Sequence, residues 1–228
     1  MQLQLPPPQL DGPISRLLGE AAEFAKIRHY GKGQTVFREG DPEERFYILL
    51  RGIVTAYRTG ANGHQRILQF FVPNDVYGNI TMVDNLVHTM TAEVVEPADN
   101  LEIEKRYIKQ LVRQNPDFLW YLYEDLAKKL CNVAEIIETS YLTAEQRISR
   151  GIVKLSRQFG YRTEHGIELR LHLTQEQLAR FTGTTRVTVA KTVSSLTDQG
   201  ILSTRPKPWV VHHVDALIQF GQNVNTEI

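Results

Sequence analysis

Between Ile27 and Ile103, apolar residues alternate with polar ones or fall in short runs, and turn-forming residues break the runs at fairly regular intervals. The runs are Thr35-Val-Phe37, Phe46-Tyr-Ile-Leu-Leu50, Ile53-Val-Thr-Ala-Tyr57, Arg66 to Val72 and Thr91-Ala-Glu-Val-Val95. The breaks are Gly31-Lys-Gly33, Glu39-Gly-Asp-Pro42, Arg51-Gly52, Gly60-Ala-Asn-Gly63 and Pro73-Asn-Asp75. A two-residue period interrupted this often predicts many short strands, and so a β-sandwich or roll of jelly-roll type. Ahead of it, Ile14 to Phe24 predicts a short helix and Leu5-Pro-Pro-Pro8 a loose tail. After Asn115 the period changes. Pro116 suits the first position of a helix, which is expected to run to Ser140, about 24 residues or roughly 36 Å. Leu119, Leu122, Leu126, Lys129, Val133, Ile136 and Ser140 recur at three and four residues. That is the seam of a two-helix coiled coil, with Lys129 and Ser140 as polar interruptions. A helix lying on its own strands would also need an apolar stripe, so both readings stand. The seam reading makes Leu119, Leu122, Leu126, Val133 and Ile136 the dimerisation residues. Thr143-Ala-Glu-Gln146 is a capping box, which places a break and a hinge near residues 141–143.

The segment Leu173 to Leu196 predicts a helix-turn-helix. Thr174 and Gln177 form a capping box for the first helix, and Leu178, Ala179 and Phe181 supply its inward face. Gly183 stands where the turn needs positive φ. Thr184 or Thr185 can cap the second helix. Val189, Val193 and Leu196 then form one buried stripe. The opposite stripe, Arg186, Thr188, Lys191 and Ser195, can bond phosphates or base edges. An ordinary helical hairpin is the alternative. Two short strands, Ile201 to Thr204 and Trp209 to His213, flank Arg205-Pro-Lys-Pro208 and predict a wing with a basic tip. Arg205 or Lys207 either meets a phosphate there or is simply solvated.

Charge and composition sharpen this. The chain has 228 residues and no net charge. Residues 1–143 carry 15 basic and 19 acidic side chains, residues 144–228 carry 11 and 7, so the positive excess lies with the helix-turn-helix, as attraction to phosphates requires. One cysteine, Cys131, rules out an internal disulfide and fits a reducing cytoplasm. No apolar run is long enough to span a membrane, and the start lacks a secretory signal.

The order of β-roll, long helix and winged helix-turn-helix resembles the cyclic-AMP receptor/FNR superfamily of bacterial transcription regulators, from about Ile14 to Leu217. Phe37-Arg-Glu-Gly40, Phe46 to Gly52, Gly60 to Leu68, Pro73 to Gly78 and Gln146-Arg-Ile-Ser149 carry the likeness in order. It implies an α+β protein. Residues 1–115 form an N-terminal jelly-roll effector domain, 116–143 the dimerisation helix and hinge, and 144–228 a winged helix-turn-helix. The partners it implies are double-stranded DNA, a second copy of the chain and, for an activator, RNA polymerase. At the three base-reading positions of cyclic-AMP receptor proteins this chain has Arg186, Val187 and Lys191. Valine cannot accept from cytosine but suits a thymine methyl, so the operator is expected to be richer in A·T. Thr174, Thr184, Thr185 and Thr188 are expected at phosphates.

Cyclic-nucleotide-binding relatives carry a glutamate for the ribose and an arginine for the cyclic phosphate. The matching positions here are Asn79, after Gly78, and His88, before Thr89. Histidine lacks the planar fork of arginine, so cyclic AMP is not expected. Iron–sulfur ligation needs more cysteines, and no Cys/His pair suggests haem. Regulators of organohalide respiration, which sense chlorinated phenols, share Thr91 to Pro97 loosely and Val187-Thr-Val189. Their aromatic and lysine positions fall at Phe70 and Lys128. The expected effector is a small organic molecule, aromatic or anionic, in a pocket lined by Phe70, Tyr77, Gly78, Asn79, His88, Thr89 and Lys128 or Lys129; a solvated Lys128 is the plain alternative. No metal and no cofactor are required. Two competing functions remain at this point. One is a cupin-like metal enzyme, for which His64 and His88 lack partners, and the other a constitutive DNA-binding protein with an empty roll.

Overall fold

The structure is a computed structural model and describes residues 25–42, 44–79 and 87–223. The helix expected at Ile14–Phe24 and the proline-rich tail lie outside the described residues. The chain divides into two compact units, Met1–Arg58 with Leu68–Ala134 and Thr59–Ile67 with Glu135–Ile228.

The first unit is a β-roll. Its strands are β1 (Ala25–Tyr30), β2 (Thr35–Phe37), β3 (Arg45–Thr59), β4 (Gln65–Phe71), β5 (Val76–Tyr77) and β6 (Thr91–Glu104). The sheet runs β1-β6-β3-β4, with β2 also on β6 and β5 also on β3, all antiparallel where registers are given. Two expected strands, Phe46–Leu50 and Ile53–Tyr57, are one 15-residue strand. Arg51-Gly52 is a kink within it and not a turn. Gly52 has φ of 90°, and the register against β6 shifts on either side of it. A Cβ at Gly52 would stand 2.2 Å from the Pro97 carbonyl oxygen, so only glycine lets the two bent strands touch. Pro97 is exposed at the same kink, where a ladder donor is not needed.

The two faces of this sheet bury different things. Phe46, Ile48, Leu101 and Ile103 pack with Leu111 of α1 (Ile108–Gln114) and Phe118 of α2 (Pro116–Thr139). Phe37, Tyr47, Leu49, Phe71 and Tyr77 pack together on the other side. Burial of such large side chains, about 1.5–3 kcal/mol each, is the main term holding the roll.

The second unit contains the end of α2 and then α3 (Ala144–Phe159), β7 (Gly160–Thr163), β8 (Gly166–Leu169), α4 (Gln175–Thr182), α5 (Arg186–Asp198), β9 (Leu202–Ser203), β10 (Val210–Val211) and α6 (Val214–Asn223). The capping box at Thr143 is formed from both sides, so the helix break falls where the sequence places it. Ile148, Ile152 and Leu155 of α3 are fully buried, and α3 meets α4, α5 and α6. The strands form one sheet, β7-β8-β10-β9. The β7–β8 hairpin was not expected from the sequence; at four residues per strand its alternation is too short to stand out.

Candidate DNA-binding face and effector site

The second unit holds the helix-turn-helix. Thr174 caps α4 through its hydroxyl, which accepts from the Gln177 N–H at 3.1 Å, while the Gln177 side chain accepts from the Thr174 N–H at 3.0 Å. Gly183 ends α4 in the left-handed conformation, φ 62° and ψ 45°. Thr185, rather than Thr184, caps α5 and accepts from the Thr188 N–H at 3.1 Å. The Thr184 hydroxyl bonds instead to that of Thr182 at 2.9 Å. The Arg147 guanidinium from α3 donates to the Thr182 carbonyl at 3.2 Å and the Gly183 carbonyl at 3.4 Å, which braces the turn.

Val189, Val193 and Leu196 anchor α5 with exposures of 0, 3 and 0%. Arg186, Val187 and Lys191 are exposed at the start and outer side of the same helix, Val187 at 66%. Thr174 and Thr185 are exposed, Thr184 and Thr188 half-buried. Val187 thus stands bare on the same helix as two cations, Arg186 and Lys191, that form no ion pair among the described residues. The wing tip, Arg205 to Pro208, is exposed as well.

The long helix α2 has two working faces. On one, Tyr121 donates to the Asn74 carbonyl, Lys129 to the Val76 carbonyl at 2.8 Å and Asn132 to the Leu68 carbonyl at 3.0 Å. These are side-chain clips onto β4, the β4–β5 turn and β5. On the other, Leu119, Tyr123, Leu126, Leu130, Val133 and Ile137 are each at least half exposed. Their spacing is four and three, the period of a coiled-coil seam. The residues expected to form a seam divide between the two faces. Leu119, Leu126 and Val133 lie on the exposed stripe. Leu122 packs on the β-roll core, Ile136 is half-buried and Lys129 is buried at 6%. Two apolar stripes lie side by side on this helix, and a 3-4 spacing reads from one to the other without a break.

The expected effector residues divide similarly. Lys129 donates to the Val76 backbone carbonyl, the Asn79 side-chain amide oxygen at 2.7 Å and the Asp125 carboxylate at 2.5 Å. Asn79 in turn donates to Asp125 at 3.0 Å. Burial lowers the Lys129 ammonium from its ordinary value, and Asp125 partly restores it. Asp75, in the adjoining turn, is raised to about 6 by burial, against the pull of its bond from the Val72 N–H. Lys128 is exposed and not part of this cluster, because one residue along a helix turns the side chain by about 100°. Phe70 and Tyr77 are buried at 2 and 1%. Tyr77 stacks on Phe71 and Tyr47 at 4.8 and 5.2 Å, and burial pushes its hydroxyl well up. Gly78 takes φ of 70° against the Tyr47 ring. His88 is buried, stacks on Phe37 at 3.7 Å, and burial lowers its imidazole against the opposing effect of Asp41. Thr89 is exposed. The partners of Lys129 were not anticipated; Asp125, four residues earlier, was the available signal. Among the described residues no cluster of His, Cys, Asp or Glu is placed to hold a metal, and no helix is long and apolar enough to cross a membrane.

Comparison with known proteins agrees with both halves. A cyclic nucleotide-binding domain model matches residues 27–115, and a Crp-like helix-turn-helix domain model matches residues 146–220; together they take in most of the chain. The global nitrogen regulator of Synechocystis is 27% identical over 212 residues, 90% of this chain and 93% of that protein. A CRP-like cAMP-activated global transcriptional regulator of Mycobacterium tuberculosis is 28% identical over 177 residues, 75% of this chain and 77% of that one. This chain belongs to the CRP/FNR family of transcriptional regulators. The CRP/FNR fold is also that of CLP, the c-di-GMP responsive regulator of Xanthomonas campestris, with a TM-score of 0.76 at 22% identity over 88% of this chain and 98% of that one. It is shared with CprK complexed with OCPA, TM-score 0.69 at 21% identity over 89 and 92%. Identities this low show the fold and do not single out a branch of the CRP/FNR family. The family fits a small-molecule effector without naming one.

Proposed function

We propose that this CRP/FNR-family chain is an effector-responsive homodimer that reads a palindromic operator, and that its effector is a small organic molecule other than cyclic AMP. The observation that carries the reading is α5, a helix anchored by three buried residues with Arg186, Val187 and Lys191 bare on its outer side. The bare seam of α2 supports dimerisation, and two-fold symmetry then sets the two recognition helices about 34 Å apart, one turn of DNA. Against cyclic AMP stand Asn79 and His88. Asn79 is already engaged by Lys129 and Asp125, and a buried, neutral imidazole stacked on Phe37 gives a cyclic phosphate no cationic fork. The Lys129 cluster with the neighbouring aromatic wall is the region proposed for the effector. The chain is not an enzyme in this reading. It works in the cytoplasm and contacts RNA polymerase where it activates.

Selection of binding sites from random duplexes tests the reading. An A·T-richer palindrome is expected, with Val187→Glu shifting one base pair per half-site by roughly 1–3 kcal/mol. Recovery of no palindrome, or preferences indifferent to Val187, would refute it. Repeating the selection with and without small-molecule extracts separates an effector-driven regulator from a constitutive binder.

A further inference from the structure

The second unit contains a cavity that DNA reading does not use. It has a volume of about 370 Å³ and lies between the end of α2, α3 and α6. That is within the range of small-molecule sites. Its charged wall is Arg150, Lys154 and Arg157 of α3 with Glu135 of α2, and Val153 and Ile218 lie on its apolar side. Spacings of four and three put the three cations on one face of α3. Like charges so placed repel unless something offsets them. Two are offset. Lys154 pairs with Glu135, and Arg150 with Glu138 at 2.9 Å, both carboxylates coming from the last turns of α2. Arg157 is exposed, lines the same cavity and forms no ion pair among the described residues.

We propose that this cavity is a ligand site for an organic monocarboxylate with an apolar body. The Arg157 guanidinium offers a planar fork that a carboxylate fills with two hydrogen bonds. A hydrocarbon or aromatic body then lies along Val153 and Ile218, out of water. The bound carboxylate also competes with Glu135 for Lys154, so occupancy loosens an ion pair that ties α2 to α3. The site is separate from the β-roll and does not depend on the effector proposed there.

A chain-length series tests this on the full-length protein. Butyrate, hexanoate and octanoate are titrated by ligand-observed saturation-transfer NMR, with inorganic phosphate as the competitor. Hexanoate is expected to bind saturably, with a dissociation constant on the order of 1 mM, as befits so few atoms. Affinity should rise about three- to fourfold per added methylene. Arg157→Gln should weaken hexanoate at least tenfold while thermal unfolding stays unchanged. A flat chain-length series, or phosphate displacing hexanoate at equal concentration, would show only a basic patch and overturn the proposal. Unchanged affinity in Arg157→Gln would overturn it too.

Discussion

Replacing Lys129 with Met removes one ammonium and keeps the apolar stem. The ammonium makes three hydrogen bonds, to Val76, Asn79 and Asp125. Asp125 has 12% of its side chain exposed, so its charge would be left largely without a counter-ion. Breaking a buried pair from one side costs about 3–5 kcal/mol. With a urea slope of about 2 kcal/mol per molar, the unfolding midpoint should fall by roughly 2 M. Asp125→Asn on the Lys129→Met background removes the orphaned charge, so the double variant should be more stable than Lys129→Met alone. The chain has two tryptophans, Trp120 and Trp209. A Trp209→Phe background leaves Trp120 to report the first unit by fluorescence, at fixed protein concentration. A midpoint within about 0.3 M of the parent, or strict additivity of the two substitutions, would refute the account of this cluster.

Three further outcomes are expected. Leu130→Glu should turn the proposed dimer into a monomer in sedimentation without lowering monomer stability, whereas Leu122→Glu should unfold the roll; a Leu130→Glu dimer would sink the proposed seam. Gly183→Ala should cost about 1–2 kcal/mol in thermal unfolding from the left-handed backbone alone, and its Cβ would stand 1.5 Å from the Arg66 guanidinium, which must move; an unchanged melting temperature contradicts this. The Asp75 carboxyl titrates near 6 in the folded chain, above its usual 3.8. Its neutral form is the one the fold favours, so that contribution is present below about pH 4 and lost as pH rises through 6. Relative to Asp75→Asn, the parent should lose up to about 3 kcal/mol of stability over that window, and parallel pH profiles would show otherwise.

The sequence exposes the helix-turn-helix nearly residue by residue because its signals are local. A capping box, a left-handed glycine and a three-residue buried stripe each depend on neighbours a turn away. The β-roll is legible as a class, but its long strands are not. Gly52 reads as a turn because a kink and a turn use the same residue, and only the approach of Pro97, 45 positions later, distinguishes them. The seam of α2 is half legible for a related reason. Leu119, Leu126 and Val133 lie on the exposed stripe proposed as the seam, yet Leu122 and Ile136 satisfy the same spacing while less exposed. In the candidate effector region, Lys129 and Asn79 are visible as polar residues at telling positions. What they bond to is set by long-range strand placement, which no local pattern carries.

Because α2 is fastened along one side and bare along the other, adjacent codons in its gene should yield unrelated mutant phenotypes. Lesions at 122, 129 and 132 would surface as proteins that accumulate poorly or ignore their signal. If the proposed dimer holds, those at 123, 126, 130 and 133 would surface as folded single chains unable to grip both halves of an operator. Screening for loss of regulation alone would pool the two groups; measuring cellular abundance alongside would sort them at single-residue resolution.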